Sequence, residues 1–169
     1  MYCVKKRRSM EKADQFKEKY GFEKAYGSYE ELLTDPEIEA VYIPLPNTMH
    51  YEWTIKALKS GKHVLCEKPL APTEAQAKEM FAAAEENHVY LMEAFAYQHS
   101  PYLTAIREEI KNGTIGDIRY MESAYITSDY NKNNIRMRRD TLGGCTYDLG
   151  VYNTSLILRT LAEEPTEIR

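Results

Sequence analysis

The sequence of 169 residues has few cysteines, no long apolar run and no excess of basic charge. Cys3, Cys66 and Cys145 are widely spaced and odd in number, so we expect reduced thiols and neither a disulfide framework nor a metal site. No apolar run approaches the ~20 residues that span a bilayer, and the basic start is not a secretory signal. The net charge of −4 disfavours nucleic-acid and membrane partners, since these require a basic surface. A cytoplasmic location is expected.

The chain alternates predicted helices with short apolar strands. Ala40–Ile43 is continuously apolar and β-branched, which indicates a buried strand, and His63–Cys66 and Val89–Phe95 are two further predicted strands. Capping patterns predict the helices: Met10–Tyr20 after Ser9, a short helix from Ser28, one from Asn47 or Thr48 to about Ser60, and one from Thr73 to about Glu86.

This regular spacing predicts parallel strands joined by right-handed crossovers, the doubly wound α/β pattern. Ligands of such sheets bind beyond the carboxyl ends of the strands. The rule directs attention to Pro44–His50, Glu67–Pro69 and Ala96–His99.

The pattern changes after residue 96. Ser100 and Pro101 begin a predicted helix that ends at Gly113, and Ile118–Ile126 alternates apolar and polar residues like a strand with one covered face. A polar loop over residues 128–140 precedes a final helix, roughly Cys145 to Leu161. We therefore expect two domains, 1–96 and 97–169.

One motif of nucleotide-binding sheets is absent. Such a sheet normally begins with a strand, a Gly-x-Gly-x-x-Gly turn and a helix, but nothing of this kind precedes Ser9. The expected fold is α/β: an incomplete, Rossmann-like doubly wound parallel sheet followed by the start of an α+β substrate domain. We expect the sequence to be a piece of a larger protein, with material missing at both ends.

Two groups of residues have the chemistry of a catalytic site. Lys68 follows the second strand, where its ammonium could polarise a carbonyl or alkoxide oxygen, and Pro69 could form a cis bond that directs it. Asp148 and Tyr152 are four residues apart and share one face of the final helix, and a nearby lysine would favour the tyrosine's phenolate. Taken alone, each group is better explained structurally, the first as a strand-to-helix turn with a surface lysine and the second as a packed helix start.

Together, and in order, four segments resemble the glucose–fructose oxidoreductase/inositol dehydrogenase (Gfo/Idh/MocA) family. They read AVYIPLPNTMH (40–50), GKHVLCEKPL (61–70), EAF (93–95) and GGCTYDLGVY (143–152). The resemblance implies an NAD(P)-dependent oxidoreductase that acts on sugars, cyclitols or diols, with a dinucleotide-binding domain and a C-terminal α/β domain. It also implies that the complete protein is a homo-oligomer.

The resemblance also assigns site residues. Lys68 would lie beside the nicotinamide and the reacting oxygen, Asp148 would contact substrate, and Tyr152 would transfer the proton, as in the branch that resembles dihydrodiol dehydrogenase. The cofactor-binding residues would be Arg8, Ser9, Pro46, Asn47, His50, Glu67 and Lys68, and the substrate contacts Tyr97, Arg136 and Asp148.

An arginine at position 8 could pair with a 2′-phosphate, which favours NADP over NAD by a small margin. The alternative is an ordinary solvated basic segment over residues 5–8. Tyr97 begins a segment, YQHSP, that departs from the family's common Tyr-Arg-Phe-His-Pro.

Three alternatives stay open beside the dehydrogenase. They are a non-catalytic dinucleotide-binding regulator of the same fold, an NAD-dependent glycosidase, and an inactive remnant. We expect the chain as given to bind NAD(P) weakly or not at all, and not to catalyse, because the pyrophosphate is normally held by the missing glycine turn.

Overall fold

A computed structural model describes residues 10–128, 131 and 133–167 of the chain. The chain divides into two compact units, the first ending at Ala94 and the second beginning at Phe95. The described helices and strands are α1 (Met10–Tyr20), α2 (Tyr29–Thr34), β1 (Ala40–Ile43), α3 (Asn47–Lys59), β2 (His63–Cys66), α4 (Glu74–Glu86), β3 (Leu91–Glu93), α5 (Pro101–Lys111) and α6 (Val151–Leu161).

The three strands form one parallel sheet in the order β1-β2-β3. Residues of β1 and β2 pair from Ala40 with His63 to Ile43 with Cys66, and both strands have the predicted bounds. The predicted α/β fold with a parallel sheet is therefore confirmed. A helix follows each of the first two strands, and α3 and α4 pack against each other and against the sheet.

The third strand is shorter than the sequence predicted. Before it, the Val89 N–H donates to Ala84 O at the end of α4 (3.0 Å), so residue 89 still belongs to the helix terminus. After it, the Gln98 N–H donates to Phe95 O (3.0 Å), which begins a 3₁₀ turn. Hydrogen bonds at both ends thus reduce the strand to three residues.

The predicted helix starts are mostly confirmed. The hydroxyl oxygens of Ser28, Thr73 and Ser100 accept backbone N–H groups at the starts of α2, α4 and α5. The predicted helix is present as α3, but its predicted cap was wrong, since the helix already includes Asn47 and its N-cap residue is Pro46, without a side-chain cap. Ser9 lies outside the described residues.

The core of the first unit lies between one face of the sheet and the helices α3 and α4. Ile43, Val64 and Cys66 point to this face and are at most 6% exposed. Leu58 of α3 and Met80 of α4 are fully buried against them. Burial of apolar side chains at roughly 25 cal/mol per Å² is the main stabilising contribution.

A network of polar side chains surrounds Asp35 in the first unit. The Asp35 carboxylate accepts from Lys24 Nζ (2.8 Å) and from the Tyr26 hydroxyl (2.6 Å), and Lys24 also pairs with Glu37. The Lys24 ammonium, followed by the Tyr26 hydroxyl and the Glu37 backbone N–H, holds the pKa of Asp35 well below its usual range. The network therefore contributes most when Asp35 is ionised.

We expect the free energy of unfolding to fall as the pH drops below about 4, because Asp35 must then gain a proton that the native state opposes. The change Asp35→Asn should lower stability at neutral pH and flatten this acid dependence in urea titrations. Asp117→Asn is the control, because Asp117 pairs with Arg119 but is 85% exposed. Parallel acid profiles of wild type and Asp35→Asn would contradict the prediction.

The second unit contains α5 and a long terminal helix. The final helix occupies the predicted residues but begins with a π-helical turn, Thr146–Gly150, that continues into α6. The predicted strand Ile118–Ile126 is wrong: these residues form no strand, and Ile126 is 90% exposed. A strand exists only through hydrogen bonds to a neighbour, and no described residue pairs with this segment.

Two kinds of feature, a membrane-spanning helix and a metal-binding cluster, are absent from the described residues. No helix there is long and apolar enough to cross a membrane. No group of three or more His, Cys, Asp or Glu side chains in that part of the chain is arranged to hold a metal ion.

Candidate active site

The carboxyl ends of the three strands lie level at one edge of the sheet. Ile43 pairs with Cys66, which pairs with Glu93, and each of these residues ends its strand. The Glu67 N–H then donates to Ile43 O (3.1 Å), so the segment after β2 leaves the sheet beside the end of β1. The segments that the sequence singled out in the first unit, Pro44–His50 and Glu67–Pro69, both begin at this edge.

Lys68 lies in the turn that follows β2. The Lys68–Pro69 peptide bond is cis, as the sequence suggested, and the Lys68 side chain is half-buried. The Lys68 N–H donates to the Glu67 carboxylate (3.3 Å), which also accepts from the Tyr42 hydroxyl of β1. The backbone of Lys68 is therefore held by its own neighbour and, through Glu67, by the adjacent strand.

His50 is fully buried one turn into α3. Its Nδ1 lies 2.7 Å from Pro69 O and its Nε2 lies 2.7 Å from Leu45 O. Both ring nitrogens therefore face backbone carbonyls, and the ring joins the segments that follow β1 and β2. A contact of His50 with the cofactor stays a prediction.

The other expected cofactor contacts of the first unit lie after β2, near the start of α3 or outside the described residues. Pro46 and Asn47 are half-buried, and Pro46 O accepts the Met49 N–H (2.8 Å) in the first helical turn. The start of a helix carries a partial positive charge, which suits the polar groups of a dinucleotide. The roles of Pro46, Asn47 and Glu67 stay predictions, and Arg8 and Ser9 lie outside the described residues.

The two described cysteines differ in burial. Cys66 is fully buried, and this burial raises the pKa of its thiol to about 12; a hydrogen bond with Thr54 opposes the rise, and the carboxylates of Glu93 and Glu67 add to it. Cys145 is exposed in the second unit.

We expect iodoacetamide to alkylate Cys145 readily near neutral pH and Cys66 at least ~10²-fold more slowly, because the thiolate is the nucleophile. Peptide mass spectrometry after timed quenching measures the two sites separately. A Cys145→Ser variant serves as the control, since it should leave Cys66 as slow as before. Equal labelling of both cysteines in the native protein would contradict the burial of Cys66.

In the second unit, the paired glycines bring an arginine to Asp148. A Cβ atom on Gly143 would lie 2.5 Å from Arg136 O and 2.6 Å from Arg138 O, so only glycine allows this approach. The Gly144 N–H donates to Arg136 O (2.7 Å), and Gly144 has a φ of 111°. As a result, Arg136 Nε lies 3.1 Å from Asp148 Oδ1.

The ion pair lines an open cavity of about 910 Å³. The Asp148 side chain is 21% exposed and the Arg136 side chain 59%. Asn131, Asn134 and Tyr125 contribute further polar groups to the lining. Both of these charged residues were predicted from the sequence as substrate contacts, and such a lining of donors and acceptors suits a hydroxyl-rich molecule.

Tyr152 lies in a cluster of aromatic rings at the start of α6. Its ring stacks on Tyr125 at 5.5 Å between centroids and meets the edge of Phe95, also at 5.5 Å. Tyr97 packs against the same ring at 6.3 Å, and its hydroxyl lies 2.6 Å from Ser155 Oγ. Tyr97, predicted as a substrate contact, therefore supports the Tyr152 ring and α6; direct contact with substrate stays a prediction.

Sequence reasoning missed two residues of the first unit. Glu93 Oε1 accepts the Leu70 N–H (2.8 Å), and Tyr42 holds Glu67. Glu93 ends β3, but the rule that selected the ends of β1 and β2 pointed to Ala96–His99 here, because the predicted strand continued to Phe95. Tyr42 gave no signal, because a tyrosine inside a strand looks like any packed aromatic residue.

Two family models match this chain. Residues 6–95 match the model described as "Oxidoreductase family, NAD-binding Rossmann fold" (GFO_IDH_MocA), and residues 103–169 match the "GFO/IDH/MocA C-terminal domain". The chain belongs to the GFO/IDH/MocA oxidoreductase family. The resemblance read from the four sequence segments is thereby confirmed.

Named relatives of this GFO/IDH/MocA chain are reductases and dehydrogenases. It is 39% identical over 145 residues to dTDP-3,4-didehydro-2,6-dideoxy-alpha-D-glucose 3-reductase of Actinomadura kijaniata, covering 86% of this chain and 43% of that protein. It is 36% identical over 160 residues to trans-1,2-dihydrobenzene-1,2-diol dehydrogenase of Xenopus laevis, covering 95% and 48%. The chain thus spans about half the length of these curated relatives.

A solved structure of the family has the same fold. KijD10, a 3-ketoreductase from Actinomadura kijaniata in complex with NADP and TDP-benzene, superposes with a TM-score of 0.84 at 35% identity, covering 91% of this chain and 47% of that one. The Rossmann-like architecture predicted from the sequence is confirmed by this match.

Proposed function

We propose that the protein carrying this chain is an NAD(P)-dependent oxidoreductase that transfers hydride between a nicotinamide cofactor and a hydroxyl of a sugar, cyclitol or trans-diol. The observation that carries the proposal is the Lys68 turn, held at the carboxyl edge of a parallel sheet in a chain of the GFO/IDH/MocA family. The names of the relatives support the substrate class, since they act on a nucleotide-linked sugar and on a diol.

The residues at the sheet edge fit the nicotinamide half of a dinucleotide. Lys68 offers a cation, Asn47 offers an amide, and the first turn of α3 offers backbone N–H groups. When bound, the nicotinamide supplies the hydride acceptor or donor. The chain's own contribution is to hold the ring at the edge and to exclude water from it.

Lys68 has the role of polarising the substrate oxygen. As a hydroxyl is oxidised or a ketone reduced, negative charge develops on this oxygen, and a fixed ammonium stabilises that charge more than it stabilises the ground state. The turn fixes the backbone of Lys68, so little reorientation is needed when the charge appears.

Residues of the second unit have the roles of proton transfer and substrate recognition. Tyr152 exchanges a proton with the substrate oxygen through its hydroxyl. The Arg136–Asp148 pair binds neighbouring hydroxyls, with the carboxylate as acceptor and the guanidinium as donor. The presence of Lys68, Asp148 and Tyr152 disfavours a non-catalytic regulator, because a sensor needs no acid/base residues.

NADP is the cofactor that we expect to bind more tightly. Arg8 could pair with the 2′-phosphate, and the KijD10 structure contains NADP. The homo-oligomeric state and the cytoplasmic location stay predictions.

The test is hydride transfer itself. The protein carrying this chain is incubated with NADP⁺ or NAD⁺ and a panel of aldoses, inositols and trans-diols, each deuterated at the carbinol carbon. We expect deuterium in the reduced nicotinamide, and a slower rate than with unlabelled substrate. Cofactor binding without transfer from any substrate would favour the regulatory protein instead.

A further inference from the structure

The peptide unit that directly follows Lys68 and Pro69 is held at both of its polar ends by side chains. At one end, Pro69 O lies 2.7 Å from His50 Nδ1. At the other end, the Leu70 N–H donates to Glu93 Oε1 over 2.8 Å. The carbonyl of Pro69 and the N–H of Leu70 belong to the same peptide plane, so these two hydrogen bonds fix its orientation.

The two side chains come from different elements, and each is itself anchored. His50 belongs to α3, is fully buried, and reaches Leu45 O through Nε2 (2.7 Å). Glu93 ends β3 in register with Cys66, and the next residue along, Ala94, donates its N–H to Cys66 O (2.8 Å). The orientation of the peptide is therefore set by the helix and the sheet rather than by the turn alone.

The chemistry of these contacts makes them specific. A carbonyl oxygen only accepts, so a ring N–H of His50 is the donor in a hydrogen bond to Pro69 O or to Leu45 O. A carboxylate that accepts a backbone N–H forms a charge-assisted bond, stronger than a neutral one. Pro69 and Leu70 are buried, so water is a poor substitute for either partner.

We propose that His50 and Glu93 are positioning residues for Lys68: they hold the Pro69–Leu70 peptide and so fix the direction in which the Lys68 side chain leaves the sheet edge. The proposal rests on the catalytic role assigned to Lys68 above. His50 also ties this turn to the segment Leu45–Asn47, which keeps the expected cofactor contacts in a fixed relation to Lys68.

Amide hydrogen exchange measured on this chain tests the hydrogen bond between Leu70 and Glu93 independently of activity. In Glu93→Leu, which removes the acceptor and keeps a similar volume, the Leu70 amide should exchange ~10–10²-fold faster, while Val64 and Leu65 of β2 keep their rates. Glu93→Gln keeps an acceptor oxygen and should restore most of the protection. The matched control is Glu52→Leu, since the Glu52 side chain is 57% exposed on α3, where it pairs with Lys56.

The same spectra test His50. A ring N–H proton protected from exchange is expected in the wild-type chain. A His50 ring without any protected N–H would overturn the role of His50. An unchanged Leu70 rate in Glu93→Leu, or equal acceleration of Leu70 and the β2 amides, would overturn the role of Glu93.

Kinetics of the active protein separate positioning from packing. Glu93→Leu should lower kcat by ~10–10² while changing the cofactor Kd less than about twofold, and Glu93→Gln should recover most of kcat; His50→Phe should lower kcat to a similar degree. If the Leu70 amide of Glu93→Leu exchanges faster but kcat is normal, the proposal is overturned. Absence of turnover in the wild type would instead count against the proposed function, and the exchange result would still decide the contact.

Discussion

Replacement of Lys68 by methionine is expected to lower kcat of the protein carrying this chain by ~10²–10³, with the cofactor Kd changed by less than about twofold. Methionine keeps a flexible apolar side chain but has no ammonium. The lost charge matters most in the transition state, where the substrate oxygen becomes negative, so turnover should suffer far more than binding. Steady-state kinetics and calorimetric titration with NADPH measure the two quantities separately.

Lys78→Met is the matched control for this experiment. Lys78 lies on the exposed surface of α4, pairs with Glu74 and is 75% exposed, so its replacement should leave both kcat and Kd unchanged. Equal losses of cofactor binding and turnover in Lys68→Met would remove Lys68 from the chemical step and leave it as a binding residue.

The change Tyr152→Phe is expected to lower the rate by ~10²–10⁴ without loss of stability. Only the hydroxyl is removed, and the phenylalanine ring can keep the stacking on Tyr125 and the edge contact with Phe95. A role in packing alone predicts normal activity as well as normal stability. The two roles therefore predict different reaction rates for Tyr152→Phe but the same thermal unfolding.

Tyr102→Phe provides the control for the loss of a tyrosine hydroxyl. Tyr102 lies in the first turn of α5 within the same unit and is 75% exposed, so its hydroxyl should matter neither to rate nor to stability. A fully active Tyr152→Phe protein would exclude Tyr152 from proton transfer. A large fall in the melting temperature would show instead that the hydroxyl is needed for packing.

The parts of the fold that were predicted correctly are those encoded by short-range patterns. β1 and β2 are continuous apolar runs between turn residues, and the starts of α2 and α4 are marked by Ser28 and Thr73. These signals act over two to four residues and need no knowledge of the rest of the chain.

The errors arose where a partner decides the structure. Residues 118–126 have the alternation of a strand, but no described residue forms a ladder with them. β3 is shorter than predicted because the Val89 N–H is hydrogen-bonded to the end of α4 and Phe95 begins a turn. Local periodicity does not contain these competing hydrogen bonds.

The candidate site shows the same division. The sequence by itself determined the family, the position of Lys68 at the end of a buried strand, and Asp148 and Tyr152 at the start of a helix, because motifs and residue chemistry are local properties. The tertiary structure alone decided that His50 contacts Pro69, 19 residues away, and that Glu93 contacts Leu70, 23 residues away. Strand register and helix packing bring such distant groups together, and no pattern within either segment specifies them.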